Sequence, residues 1–248
     1  MPVDLERATK AAGEAEFDGH SFALRPDQYL RMLESGILSE VEGVELRDGF
    51  LRLKPAEGGS RTEEYRLSVD QYRAMAREDI LTADDRVELL EGWLVAKMTK
   101  YPPHEIAKGL AQDGLTRLVP AGWFVAIETP IAASGGDPEP DLVIVRGTRR
   151  DYPERPPGSG HVALVVEVAD ASLPRDRSQK KRLYARSGFP TYWLVNLVAG
   201  RIEVYSDPTG PTENPDYLHR QDFKPGDTIP VIIEGREIGR IGVGDLLP

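Results

Sequence analysis

The chain consists of short blocks with two kinds of hydrophobic pattern. In some blocks apolar residues recur every three or four positions, and in others they form short continuous runs. Residues 104–119 repeat apolar side chains at intervals of three and four, which predicts a helix that ends before Pro120. Residues 176–187 have the same periodicity and stop at Gly188. Short apolar runs typical of strands lie at 123–127, 142–145, 162–168, 191–197, 201–205, 217–223 and 229–233. This order predicts a mixed α/β (α+β) fold, in which a curved mixed sheet is flanked by helices and followed by a β-rich C-terminal tail.

An imperfect internal repeat precedes these blocks. Residues 22–54 align with residues 65–97 at a constant offset of 43, with identical Asp-Gln-Tyr, Ile-Leu and Val-Glu-Leu segments. Each copy predicts a short helix followed by a β-hairpin. Two copies are too few for a solenoid, so a partial duplication explains them better. We therefore divide the chain into an N-terminal helix–hairpin extension, residues 1–64, and a main domain, residues 65–248.

Composition narrows the chemistry that the chain can carry. Its 248 residues are 40% hydrophobic, enough for one large core or one core plus an appendage. The absence of cysteine excludes disulfides, thiolate zinc sites, iron–sulfur clusters and cysteine nucleophiles, so a metal would need oxygen or histidine ligands. The N-terminus lacks an apolar signal region, and no apolar stretch approaches the roughly 20 residues that span a bilayer. We expect a cytoplasmic protein that does not enter the membrane.

The distribution of charge bears on nucleic-acid binding. A formal charge of −10 argues against it, because phosphate binding depends largely on Lys and Arg. Residues 175–186 nevertheless contain six basic residues against one acid, which favours either a local positive patch or a solvated helix face. If the patch binds nucleic acid, the candidate residues are Arg175, Arg177, Lys181 and Arg182.

Two carboxylates and a lysine are candidates for a metal site. Asp141 follows a proline at the start of one predicted strand, and Glu167 lies near the end of another that is otherwise apolar. A carboxylate on a buried strand is costly unless a charge compensates it, and a divalent cation shared with a second carboxylate is a common solution. Asp176, Lys180 and Tyr184 share one face of the following helix, so Lys180 can point at this site.

Each of these residues also has a structural interpretation. Asp141 is compatible with a turn or helix-cap aspartate, and Glu167 with a buried pair to an arginine. His104 begins a predicted helix after two prolines, where it can be a cap, a neighbour of the metal site or a proton shuttle.

Several short motifs occur in a fixed order along the main domain. They are Glu88-Leu-Leu-Glu-Gly92, Met98-Thr-Lys-Tyr-Pro-Pro-His104, Pro138-Glu-Pro-Asp-Leu-Val-Ile-Val145, Val165-Val-Glu-Val-Ala-Asp-Ala-Ser-Leu173, Asp176-Arg-Ser-Gln-Lys180, Leu183-Tyr-Ala-Arg-Ser-Gly188 and Tyr192-Trp-Leu-Val195. Together they resemble the Uma-two family of restriction endonucleases over residues 65–248. That resemblance implies the PD-(D/E)xK nuclease fold, with a restriction-endonuclease-like core.

The resemblance also implies roles for particular residues. Asp141 corresponds to the Asp of the Pro-Asp motif and Glu167 to the acidic residue of the second motif. Both are expected to bind Mg²⁺ or Mn²⁺, together with the adjacent Val168. We count His104 with Asp141, Glu167 and Lys180 as a candidate catalytic residue.

The chain departs from the general nuclease pattern at one position. The residue two places after the acidic residue of the second motif is normally lysine, and here it is Ala169. In this family the lysine has moved to the helix, which assigns the role to Lys180, with the adjacent Lys181 as an alternative. Such a lysine orients the attacking water or stabilises the pentavalent transition state.

The expected function is therefore a divalent-metal-dependent endonuclease that hydrolyses DNA. Nucleases of this fold often pair two active sites to cut two strands, so a homodimer is a hypothesis. One alternative is a catalytically inactive module of the same fold that binds nucleic acid or a protein partner. Another is an acidic protein-interaction domain, which would be supported if the basic segment at 175–186 were internally salt-bridged and the affinity for DNA were negligible.

Overall fold

The computed structural model describes residues 21–39, 43–55 and 63–248, so residues 1–20, 40–42 and 56–62 of the predicted extension lie outside it. Both copies of the repeat form the predicted helix and hairpin. The first copy consists of α1 (Pro26–Glu34), β1 (Val44–Arg47) and β2 (Phe50–Leu53), with β3 (Glu63–Glu64) paired to β2. The second copy consists of α2 (Val69–Arg77), β4 (Val87–Leu90) and β5 (Trp93–Ala96).

The main domain is the mixed α+β fold that the sequence predicts. Its helices are α3 (Pro102–Leu118), α4 (Leu173–Arg175) and α5 (Lys181–Ser187). Its strands are β6 (Trp123–Ile127), β7 (Leu142–Arg146), β8 (Val162–Ala169), β9 (Thr191–Asn196), β10 (Arg201–Pro208), β11 (Tyr217–Phe223), β12 (Thr228–Ile233) and β13 (Arg236–Gly242). In the described part of the chain, six strands form one sheet in the order β11-β10-β9-β8-β7-β6, where only β8 and β9 run parallel.

Side chains of the sheet enter two apolar layers. Helix α3 and the β12–β13 hairpin cover one face, where Leu115 packs with Val166 and Val168 of β8. Helix α5 covers the other face, where Tyr184 packs with Val165 of the same strand. Because successive residues of a strand point to opposite faces, Glu167 lies on the α5 side of the sheet. All eight residues of β8 are buried, which explains its nearly continuous apolar sequence.

The helix predicted at 176–187 has a more complex start. It is preceded by the short α4, and Asp176–Lys180 form a π-helical turn before α5 begins. A π-turn widens the helix by one residue and occurs frequently at functional sites. Among the helices of the described residues, none is long and apolar enough to cross a membrane.

The two copies of the repeat contact each other reciprocally. Gln28 of the first copy donates a hydrogen bond to the carbonyl of Ile80 at 2.9 Å, and Gln71 of the second donates to the carbonyl of Ile37 at 3.0 Å. Gln71 and Ile80 are the repeat equivalents of Gln28 and Ile37, so the same contact occurs twice with the copies exchanged. Both copies also contribute to one apolar cluster. This is the pattern of a two-fold interface, here formed within one chain.

Within the described residues, the second copy presents an apolar face to helix α5. Leu90 and Val95 are buried there in a cluster with Leu183 of α5. Their equivalents in the first copy are Arg47 and Arg52, and the Arg47 side chain is 53% exposed. The first copy therefore packs on the second. Its face equivalent to the Leu90 and Val95 face is polar and does not need to be covered by another element.

Candidate active site

The sheet brings Asp141 and Glu167 together. Strands β7 and β8 are antiparallel with Leu142 opposite Val166, so continuing the register by one residue places Asp141 opposite Glu167. The Val168 N–H donates a hydrogen bond to Asp141 Oδ2 at 2.8 Å and fixes that carboxylate to the strand. Both carboxylates are buried, with 3% and 4% exposure. Two acids that are 26 positions apart in sequence thus occupy one site.

Lys180 reaches the same site from the π-turn. Its Nζ lies 2.8 Å from Glu167 Oε1 and 3.4 Å from Glu88 Oε1. The Tyr184 hydroxyl donates to the same Glu167 oxygen at 2.6 Å. Lys181, the alternative, is instead directed toward Asp216 at 2.8 Å. Of the two candidate lysines, Lys180 is therefore the one that contacts Glu167.

Burial and mutual repulsion shift the charge states of this group. Burial, together with the negative charges of Asp176, Asp141 and Glu88, raises the pKa of Glu167 to about 8 despite the nearby ammonium. Burial disfavours the Lys180 ammonium, but the carboxylates of Glu167, Glu88 and Asp176 outweigh it and hold the pKa of Lys180 above its usual range. These neighbouring carboxylates therefore favour the charged form of Lys180.

Asp141 is stabilised in its ionised form. His104 Nε2 lies 3.2 Å from Asp141 Oδ2, and Lys100 Nζ lies 2.8 Å from Oδ1. Burial opposes the charge, but His104 and Lys100 outweigh it and hold the pKa of Asp141 well below its usual range. His104 lies in the first turn of α3, and within the described residues its buried Nδ1 has no hydrogen-bond partner. Of the three roles considered for His104, the structure shows a direct neighbour of the Asp141 carboxylate.

Two further residues of this site, Glu88 and Lys100, were not among the predicted site residues. Glu88 contacts Lys180 and accepts a hydrogen bond from the Glu139 N–H at 3.3 Å. The sequence pattern that singled out Glu167, an acid within an apolar strand, also occurs at Glu88. Lys100 lies in the loop between β5 and α3, where no periodicity marks a side chain.

These groups line a cavity of about 690 Å³. Its acidic residues, counted among the described residues, are Asp79, Glu88, Glu128, Glu139, Asp141, Glu167, Asp170 and Asp176. Its basic residues, counted in the same way, are Arg86, Lys97, Lys100, Arg175 and Lys180. The formal excess is three negative charges when histidine is neutral, so the cavity attracts cations.

The basic segment at 175–186 does not form a free positive patch. Each of the four residues predicted to bind nucleic acid donates a hydrogen bond within the protein. Arg175 donates to the Ala96 carbonyl and Arg177 to the Glu203 carboxylate. Lys181 donates to the Asp216 carboxylate and Arg182 to the Glu91 carboxylate. Apart from Arg175, each basic residue of the segment pairs with an acid that lies outside it. Nucleic-acid binding by these residues stays a prediction, and the salt-bridging condition for an acidic protein-interaction domain is met.

The mixed sheet flanked by helices has a restriction-endonuclease-like fold, and its candidate site contains two neighbouring carboxylates and a lysine from the next helix. The chain belongs to the Uma2 family, described as "Putative restriction endonuclease", whose model matches residues 69–237. The first repeat copy lies outside that match. The fold is also similar to a crystal structure described as "a putative nuclease belonging to DUF820" from Anabaena variabilis. The TM-score is 0.55 at 15% identity, covering 73% of this chain and 97% of that one. None of the curated proteins compared with the chain matched it.

Proposed function

We propose that this protein is a divalent-metal-dependent endonuclease that hydrolyses phosphodiester bonds of DNA, with Asp141 and Glu167 binding Mg²⁺ or Mn²⁺. The observation that carries the proposal is the excess of carboxylates in the cavity where these two acids face each other. A phosphodiester carries negative charge, so this cavity repels it unless cations are bound. A divalent ion at the two carboxylates would offset most of that negative charge.

The side chains present fit such an ion. Carboxylate oxygens are hard donors that suit Mg²⁺ and Mn²⁺. Within the described residues, no three His, Asp or Glu side chains are grouped to hold a metal by themselves. An ion on Asp141 and Glu167, near Val168, would therefore keep several waters or phosphate oxygens, as Mg²⁺ usually does. When bound, it would polarise the phosphoryl group and lower the pKa of a bound water.

The surrounding side chains have supporting roles in this proposal. Lys180 is a cation that stabilises negative charge developing on the phosphoryl group. His104 is a positioning residue that orients Asp141, and Tyr184 does the same for Glu167.

The test is Mg²⁺ and Mn²⁺ titration calorimetry on the wild type, Asp141→Asn and Glu167→Gln, with cleavage of plasmid and single-stranded DNA assayed on the same samples. Asp79→Asn is the matched control, because it removes one carboxylate from the rim of the same cavity. We expect metal binding and cleavage to be lost in the two site variants and retained in the control. Equal losses in all three variants would contradict the assignment of the two ligands.

A folded wild type that binds neither metal overturns the proposal. If it also lacks affinity for DNA, the acidic protein-interaction domain becomes the better interpretation, since the basic segment is internally paired. If it binds DNA without metal or cleavage, the inactive nuclease-fold module is favoured. The homodimer and the cytoplasmic location stay predictions.

A further inference from the structure

Lys100 lies between two carboxylates at the edge of the cavity. Its Nζ is 2.8 Å from Asp141 Oδ1 and 2.6 Å from Glu128 Oε1. The Lys100 side chain is 29% exposed, whereas the Asp141 side chain is 4% exposed. The ammonium therefore covers a buried carboxylate from the side of the cavity.

The two oxygens of Asp141 are not equivalent. Oδ2 accepts the Val168 N–H at 2.8 Å and faces His104 Nε2 at 3.2 Å. Since the sheet backbone fixes Oδ2, Oδ1 is the oxygen better placed for a metal ion. Lys100 holds that oxygen, and a divalent ion beside an ammonium would be strongly repelled. An ion that binds Asp141 through Oδ1 must displace Lys100.

Glu128 allows this displacement without leaving Lys100 unpaired. It also accepts Lys108 Nζ at 2.7 Å, so its position does not depend on Lys100 alone. The lysine partners hold the pKa of Glu128 at about 2, so it stays ionised. When Lys100 leaves Asp141 it keeps this second partner, which lowers the cost of the exchange.

We propose that Lys100 is an internal counter-ion of Asp141, which a divalent metal displaces and which Glu128 then retains at the cavity edge. This inference rests on the proposed function. Its consequence is that the wild-type protein binds metal more weakly than its two carboxylates would without Lys100.

The experiment is Mn²⁺ titration calorimetry without DNA on the wild type, Lys100→Met and Lys97→Met. Lys97 is the matched control because it lines the same cavity but pairs with Glu139. We expect Lys100→Met to raise the Mn²⁺ affinity about tenfold or more, and Lys97→Met to raise it by less than about threefold. Equal gains would reduce the effect to general electrostatics and overturn the proposal, as would an unchanged or weaker affinity in Lys100→Met.

Glu128→Gln provides an independent test that does not require Lys100→Met to fold. Without Glu128, the ammonium depends on Asp141 alone and should be harder to displace, so we expect the Mn²⁺ affinity to fall. The fall should be smaller in the Lys100→Met background, which a double-mutant cycle measures. An equal fall in both backgrounds contradicts the proposal. A folded wild type that binds no Mn²⁺ would instead refute the metal-dependent function itself.

Discussion

Metal binding should depend on pH through Glu167. With its pKa raised to about 8, this carboxyl is mostly protonated at pH 7. A metal ion binds the ionised form, so binding at pH 7 should release close to one proton. Below pH 8 the proton competes with the metal, and the affinity should fall about tenfold, or about 1.4 kcal/mol, from pH 7 to pH 6. Asp141 releases no proton in this range because its pKa is lowered.

The assay is Mn²⁺ calorimetry at pH 6, 7 and 8 in two buffers with different ionisation enthalpies, which counts the protons released. Burial also raises the pKa of Asp176, so Asp176→Asn is the control variant. Proton release should persist in Asp176→Asn if Glu167 is its source. Binding that releases no proton at pH 7, with equal affinities at pH 6 and pH 8, would refute the reasoning.

Two further predictions concern stability. Gln28→Ala and Gln71→Ala each leave a carbonyl of the other repeat copy without its donor, so each should lower the free energy of unfolding by about 1–3 kcal/mol in urea denaturation. The exposed control Gln221→Ala should stay within about 0.5 kcal/mol of the wild type, and equal effects would contradict the reciprocal interface. Burial opposes the charge of Glu203, but Arg177 and other partners lower its pKa to about 2. Its ionised form therefore contributes stability that is lost as the pH falls from about 4.5 toward 2. Thermal unfolding between pH 3 and pH 6 should show a smaller pH dependence in Glu203→Gln, and parallel curves would refute this.

Local sequence determined the elements and two of the site acids. A strand buried on both faces requires a nearly continuous apolar run, so the isolated acid at Glu167 stood out against β8. The helical period predicted α3 and α5, because one face of each helix must pack on the sheet. The repeat predicted both helix–hairpin units, since equivalent residues at a constant offset form equivalent local structure. The family motifs then ordered these elements into one fold.

Tertiary structure alone decided which charges meet. Arg182 pairs with Glu91, 91 residues away, and Lys100 with Asp141, 41 residues away. The sequence left a positive patch and a solvated helix face as alternatives for the basic segment, because no local pattern records partners that lie on other elements. The same limitation hid Lys100, which lies in a loop. Hydrophobic periodicity indicates which residues become buried, and this pattern can be read from the local sequence. Pairing depends on the distance between side chains, which exists only after the sheet, the hairpin and the helices have packed.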